Sequence, residues 1–205
     1  MLYWIFLFVV VLIAVVAGVR LAVSGRAGDR SSAGGTTRTA RVAMVAAVYA
    51  VLCLVLAPFS FGAIQVRVAE ILTLMPIFGA EYIAAVTVGC FLSNLLGVAM
   101  GTTAAVDILF GTAATLLAAL VTYQLRNIRW KGLAIPAAIP PVLFNAVIVG
   151  PEIAIFFSGS PVTVPLIAWN ALTVGVGEVI SCMVLGVLFA RLIESTPALC
   201  KLIKA

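Results

Sequence analysis

Histidine is absent from all 205 residues, which excludes Ser-His-Asp and Cys-His catalytic sites and any His-ligated metal centre. Charge is scarce too: Asp, Glu, Lys and Arg make up 9% of the chain, where a soluble domain carries roughly 25%. No soluble surface can be built from so little. The four cysteines, Cys53, Cys90, Cys182 and Cys200, are scattered, three of them inside apolar runs. They show neither metal-ligand spacing nor the framework of a secreted disulfide-rich domain. No GxxxxGK[ST] sequence occurs, so the chain has no phosphate-binding loop with which to hydrolyse ATP.

What remains is apolar. Hydrophobic residues make up 64% of the chain and the mean hydropathy is +1.29. Runs of about 20 apolar residues are long enough to cross a hydrocarbon core of roughly 30 Å as helices, and several follow one another here. The fold class is therefore an all-α membrane protein with the lipid bilayer as solvent. The formal charge of +5 resides in loops, as the positive-inside rule expects. Basic and aromatic residues are not interleaved on any soluble segment, so no nucleic-acid partner is expected.

The first run, Leu2 to Val23, has its positive charge at and after its end, at Arg20, Arg26 and Arg30. A cleavable signal would carry charge before a shorter apolar core. Residues 1–24 thus read as an additional N-terminal transmembrane helix with its N-terminus outside. Residues 25–39 (GRAGDRSSAGGTTRT) cannot bury enough apolar surface to offset their ordering entropy, and read as a flexible linker. Residues 40–205 form the membrane domain. Pro and Gly punctuate it into six spans: Ala40–Ala57, Gln65–Phe78, Glu81–Val98, Ala104–Leu125, Leu133–Phe157 and Val164–Ile193. The second is short and charged, so it is placed partly at the interface. Basic clusters at Arg26–Arg41, Arg126–Lys131 and Arg191–Lys204 are separated by even numbers of spans. All three then fall on the cytoplasmic side, as do both ends of the core.

With that topology, Gln65, Arg67, Glu70, Asn94, Asp107, Glu152, Trp169 and Asn170 lie at or near outer helix ends. Asn145 and Glu178 lie deeper. An ionisable residue inside a span costs at least about 2.5–3.5 kcal/mol, so it usually faces protein or a cavity. The cluster points to a small-molecule site open to the outside. Each member also has a purely structural reading. Arg67 and Glu70 suit an i,i+3 ion pair; Asp107 suits a helix start; Asn94 and Asn145 suit interhelical hydrogen bonds. Glu152 reads as an exposed interfacial charge, and Glu81 as a helix-terminus charge on the inner side. Glu178, beside Gly175 and Gly177, is the hardest to explain structurally. On the first core helix Ala43, Ala46, Ala47 and Ala50 make small-xxx-small pairs. They suit close packing either within the chain or against a partner.

Five blocks carry a resemblance: Ala57 to Pro76 (APFSFGAIQVRVAEILTLMP), Gly89 to Asn94 (GCFLSN), Asp107 to Thr115 (DILFGTAAT), Asn145 to Gly150 (NAVIVG) and Gly175 to Glu178 (GVGE). Together they resemble the QueT family, the queuosine-precursor S components of energy-coupling factor (ECF) transporters. The resemblance implies a six-helix S-component core in a bacterial plasma membrane. Such a subunit is no enzyme and needs no cofactor. It captures a 7-deazaguanine outside and docks on an ECF transmembrane coupling subunit with two ATPase subunits. It assigns Ala43, Ala46, Ala47 and Ala50 to that docking. Substrate contacts then fall to Gln65, Arg67, Glu70, Asn94, Asp107, Asn145, Trp169 and Glu178. Glu70 or Glu178 would accept from a guanine-like edge, and Phe59, Phe61, Tyr82, Phe91 or Trp169 would stack on the base. Alternatives with the same fold take another vitamin, such as cobalamin or a folate-like compound. An intramembrane enzyme built on Glu70, Asp107 and Glu178 and a channel-like subunit are the alternatives from other classes.

Overall fold

The computed structural model describes residues 35–56 and 67–204, without the side chains of Thr36 and Lys204. The expected N-terminal helix, most of the linker, and Phe59, Phe61 and Gln65 lie outside the described residues. What is described is helical: α1 Gly35–Val55, a 3₁₀ segment Val68–Ile77, α2 Glu81–Ala99, α3 Ala105–Gln124 and α4 Ile135–Phe156. Then come α5 Val164–Glu178, a π-helical segment Val179–Gly186, α6 Val187–Ser195 and α7 Pro197–Lys204. Five stretches are long and apolar enough to cross a membrane: Thr37–Val55, Glu81–Ala99, Ala105–Gln124, Ile135–Phe156 and the continuous Val164–Ser195.

Helix α1 starts ahead of the expected Ala40, because the end of the presumed linker finds local partners. The Thr39 hydroxyl donates to the Gly35 carbonyl at 3.0 Å, and Arg38 approaches Glu81 at 3.8 Å. The expected short second span is the 3₁₀ segment. Ten residues at a 3₁₀ rise of about 2.0 Å reach only about 20 Å, too little to cross alone. It is packed inside the bundle rather than on its surface. Ala69, Glu70 and Leu72 through Ile77 are all buried, and the segment touches α1, α2, α3, α4, α6 and the π segment. The long helices pack in chain order around it, α1 on α2, α2 on α3, α3 on α4 and α4 on α5.

Small residues set the closest approaches. A Cβ on Gly89 of α2 would lie 2.8 Å from the Tyr49 Cβ and 3.0 Å from the Ala46 carbonyl of α1. A Cβ on Gly150 of α4 would lie 2.5 Å from the Ala171 Cα of α5. The alanine stripe of α1 therefore divides. Ala46 and Ala50 are buried within the chain, whereas Ala43 and Ala47 are exposed beside Met44, Val48 and Val51.

Described members of the basic clusters gather at one end. There Arg41 and Tyr82 both donate to the Ile203 carbonyl, at 3.0 and 2.9 Å, and Arg129 pairs with Glu194 at 2.6 Å. A tight reversal precedes α4, with reciprocal Trp130–Leu133 backbone bonds of 3.0 Å around Lys131 (φ 50°) and Gly132 (φ 79°). Two successive positive φ values are the type I′ geometry, which glycine adopts at no steric cost.

Helix α4 contains Pro140, Pro141 and Pro151. Proline cannot donate to the carbonyl four residues before it, so Pro141 frees the Ala137 carbonyl inside a membrane-embedded bundle. Thr122 of α3 donates its hydroxyl to that carbonyl at 2.8 Å, the kind of substitute donor a proline in a membrane helix requires. Thr122→Val should leave the carbonyl unpaired and lower stability by about 1–3 kcal/mol. Thermal unfolding in detergent checks this, with Thr122→Ser retaining stability close to that of the parent chain.

Candidate functional site

Four elements deliver acidic side chains to the membrane interior, and those side chains fall in two tiers. Asp107 lies in the first turn of α3 and Glu152 near the end of α4. Asn145 is seven residues before Glu152 on the same helix, about 10 Å along its axis. Glu178, at the α5 end next to the π segment, and Glu70, in the 3₁₀ segment, complete the deeper tier. Glu70, Asn94, Asp107, Asn145, Glu152 and Glu178 are all at most 5% exposed.

The deeper tier is tightly linked. Tyr49 of α1 donates to Glu70 Oε1 at 2.6 Å. The Cys182 thiol lies 3.2 Å from Glu178 Oε2 and 3.4 Å from the Glu70 carbonyl, in position to donate to either. Thr73 donates to that same carbonyl at 2.6 Å. One carboxylate oxygen each from Glu70 and Glu178, and the Cys182 sulfur, lie within 4.8 Å of one another. Two carboxylates and a thiol form a donor set that can hold a divalent cation. In this structure the thiol faces the Glu178 carboxylate and the Glu70 carbonyl as a hydrogen-bond donor. Two unit charges at about 4 Å repel by about 4 kcal/mol at an effective dielectric of 20, so the Glu70–Glu178 pair favours a positively charged or N–H-rich group between its carboxylates. Glu70 Oε2 and the Asn145 amide nitrogen are buried without a hydrogen-bond partner, and Asn145 lies beside the Glu178 carboxylate.

In the upper tier the Thr103 hydroxyl donates to Asp107 Oδ2. Asp107 is not the N-cap of α3; that position is Ala104 and makes no side-chain cap. Arg67 lies within electrostatic reach of both Asp107 and Glu70. Arg67 and Glu70 do not form the i,i+3 ion pair: the ion pairs among the described residues are Arg38–Glu81 and Arg129–Glu194. Glu152 corrects the expectation of an exposed charge. It is fully buried, neither carboxylate oxygen has a hydrogen-bond partner, and its neighbouring charges are Asp107 and Arg67.

Other expected residues lie elsewhere. Asn94 joins α2 to α3, donating to the Asp107 backbone carbonyl at 2.8 Å, which is the interhelical role. Trp169 is 65% exposed and does not join the cluster. Tyr82 is spent on Ile203 at the opposite end, and Phe91 faces outward at 41% exposure. The aromatic pair nearest the upper tier along the helices is Phe110 and Phe156, stacked with centroids 6.3 Å apart. Tyr49 and Cys182 were not anticipated, although two sequence signals point to them. A lone tyrosine in an apolar span needs a hydroxyl partner, and Cys182 follows Glu178 by four residues, one helical turn.

The sequence model of a family described as the QueT transporter matches residues 39–195. A curated relative, the queuosine precursor transporter QueT of Lactococcus lactis subsp. cremoris (strain MG1363), is 40% identical over 78 residues. That alignment covers 37% of this chain and 43% of the relative, so it spans less than half of either. No solved structure matches the chain.

Tyr49→Phe removes the donor to a buried carboxylate while keeping the ring in its packing. It should destabilise the protein by about 1.5–3 kcal/mol, the scale of a hydrogen bond to a charged group. Equal melting temperatures for the variant and parent chain would refute this account of the Tyr49–Glu70 bond.

Proposed function

The chain belongs to the QueT transporter family, and on that premise we propose that it is the substrate-capture subunit, or S component, of an ECF importer for queuosine precursors or queuine. The observation that carries this reading is the convergence of buried carboxylates and amides from α3, α4, α5 and the 3₁₀ segment within a bundle that is otherwise apolar. The printed name of the Lactococcus lactis relative supports a queuosine precursor as ligand. In this reading the short 3₁₀ segment is the second of six core helices, and residues 1–24 add a further span. The polar tiers face outside, and the end bearing Arg41, Arg129 and Ile203 faces the cytoplasm.

A 7-deazaguanine presents adjacent N–H donors beside a carbonyl on a flat face. Glu70 and Glu178 accept from those donors, and the Asn145 amide donates to the carbonyl. Arg67, and Gln65 two residues before it in the sequence, serve the outer side of the ligand. Asn94 holds α3 in place rather than touching substrate, and Trp169 anchors the outer interface. The protein releases its ligand unchanged and draws energy from two partner ATPases through a transmembrane coupling subunit. The exposed Ala43 and Ala47 of α1 form the docking strip, whereas Ala46 and Ala50 hold α1 against α2.

Isothermal calorimetry of the purified protein with 7-deazaguanines tests the ligand, and saturable heat is expected. No heat with any of them, alongside saturable binding of another vitamin, would overturn the assignment. Glu178→Gln should weaken binding by about 1–3 kcal/mol through loss of a charge-assisted bond. For the docking strip, Ala47→Trp should abolish ATP-driven uptake with the binding constant unchanged. Ala46→Trp should lower folding stability, because it strikes α2 at Gly89.

A further inference from the structure

Cations are unevenly placed among the described residues. Arg38, Arg41 and Arg129 are engaged at the end opposite the acidic tiers. In the turn that follows α3, Arg126 lies over the Tyr123 ring and Lys131 over the Trp130 ring. Among Glu70, Asp107, Glu152 and Glu178 lies one guanidinium, that of Arg67. Residues 57–66, which precede it in the sequence, contain no Lys or Arg. Among the described residues, four carboxylates thus share one fixed positive charge in a bundle whose surroundings are hydrocarbon.

The two tiers meet this shortage differently. Glu70 has the Tyr49 hydroxyl, and Glu178 has the Cys182 thiol. Asp107 has the Thr103 hydroxyl. Glu152 is fully buried with no partnered oxygen among the N–H and O–H donors described; the Asp107 carboxyl lies within hydrogen-bond reach of it, and Arg67 is its more distant counter-charge, shared with Asp107 and Glu70. A buried carboxylate without donors is among the costliest arrangements in a protein unless a counter-charge arrives with its own hydrogens. An ammonium is such a group, a compact point charge with three donors. A divalent metal ion fits less well, since hard cations require six or more oxygen ligands and the side chains placed here, Asp107, Glu152 and Thr103, supply fewer. The stacked Phe110 and Phe156 follow Asp107 and Glu152 by one helical turn each, placing aromatic surface next to where a methylene carrying that ammonium would lie.

We propose that Asp107 and Glu152 form a subsite for a protonated primary amine, which selects 7-deazaguanines bearing an aminomethyl arm over their neutral counterparts. This rests on the reading of the ligand as a 7-deazaguanine with its base edge on Glu70 and Glu178. Asn145 and Glu152 are about 10 Å apart along α4, a length on the order of that of a bicyclic base carrying a short arm. Glu152 is the specificity-determining residue, because neither of its oxygens has a hydrogen-bond donor within the chain and Arg67 is shared with Asp107 and Glu70.

The test titrates the full-length protein in detergent with 7-aminomethyl-7-deazaguanine and, separately, with the nitrile analogue, which differs only in the arm. The parent chain should bind the amine at least about tenfold more tightly than the nitrile. Glu152→Gln should cut amine affinity by about 10–100-fold, the scale of a lost buried charge-assisted contact, and leave nitrile affinity within about threefold. Nitrile binding by the same preparation reports an intact fold. If Glu152→Gln binds neither compound, Asp107→Asn decides by the same comparison. Equal affinity for amine and nitrile in the parent chain, or equal weakening of both in a folded variant, overturns the subsite and leaves the broader ligand reading standing. Binding of neither compound by the parent chain removes both.

Discussion

In a bundle surrounded by hydrocarbon, every polar group must be met by another protein group, because water is not there to do it. That constraint explains why so few polar contacts hold so much of this structure. The Ala137 carbonyl freed by Pro141 draws α3 onto α4 through Thr122. The Asp107 carbonyl draws α2 onto α3 through Asn94. The Glu70 carboxylate draws α1 onto the 3₁₀ segment through Tyr49. Between these points the helices touch through alanine and glycine, where backbones approach closely and dispersion has full effect. The central 3₁₀ segment, short yet in contact with most other elements, is the one to which this requirement applies most strictly.

The same constraint separates the two ends of the molecule. At one end acids and bases are matched, Arg38 with Glu81 and Arg129 with Glu194, and Arg41 and Tyr82 converge on a single carbonyl of the last helix. At the other, carboxylates outnumber cations. The first arrangement is complete in itself. Among the described residues the second leaves buried carboxylate oxygens without partners.

Much of the fold was legible because it follows from long-wavelength signals. Runs of apolar residues punctuated by Pro and Gly placed α2, α3, α4 and the long α5–α6 span to within a few residues. The even span counts between basic clusters anticipated that Arg41 and Arg129 share an end. The candidate site was legible in composition but not in geometry. Glu70, Asp107, Asn145 and Glu178 stood out because an ionisable or amide group in an apolar run needs a reason. Glu152 was misjudged because the Gly150-Pro151 before it resembles a helix exit. In the structure α4 continues through Pro151 to Phe156. Trp169 was misplaced because hydropathy gives depth along a span but not the direction a side chain faces around it. The 3₁₀ winding and the division of the alanine stripe depend on which neighbours surround a segment, and no local pattern encodes them.

The π-helical segment has a consequence for how the last long span stays in phase with its neighbours. The span buries Val174, Gly177, Glu178, Ser181, Cys182, Gly186, Val187, Ala190 and Ile193, and within that face one line, Val174, Glu178, Cys182, Gly186 and Ala190, advances four residues at a time. On an uninterrupted α-helix each such step drifts by about 40°, so four steps would carry the stripe about 160° around the axis and turn its far end to lipid. Each π turn takes in an extra residue and cancels that drift. One continuous face thereby serves two tasks, presenting Glu178 and Cys182 to the acidic tier and, nearly two turns after Gly186, Ile193 to the core beside the Arg129–Glu194 pair. Removing one residue between Val179 and Gly186 would restore ordinary winding and rotate one half of the span by about 100° relative to the other. The span tolerates substitution along its outer face far more readily than any change in its count of residues.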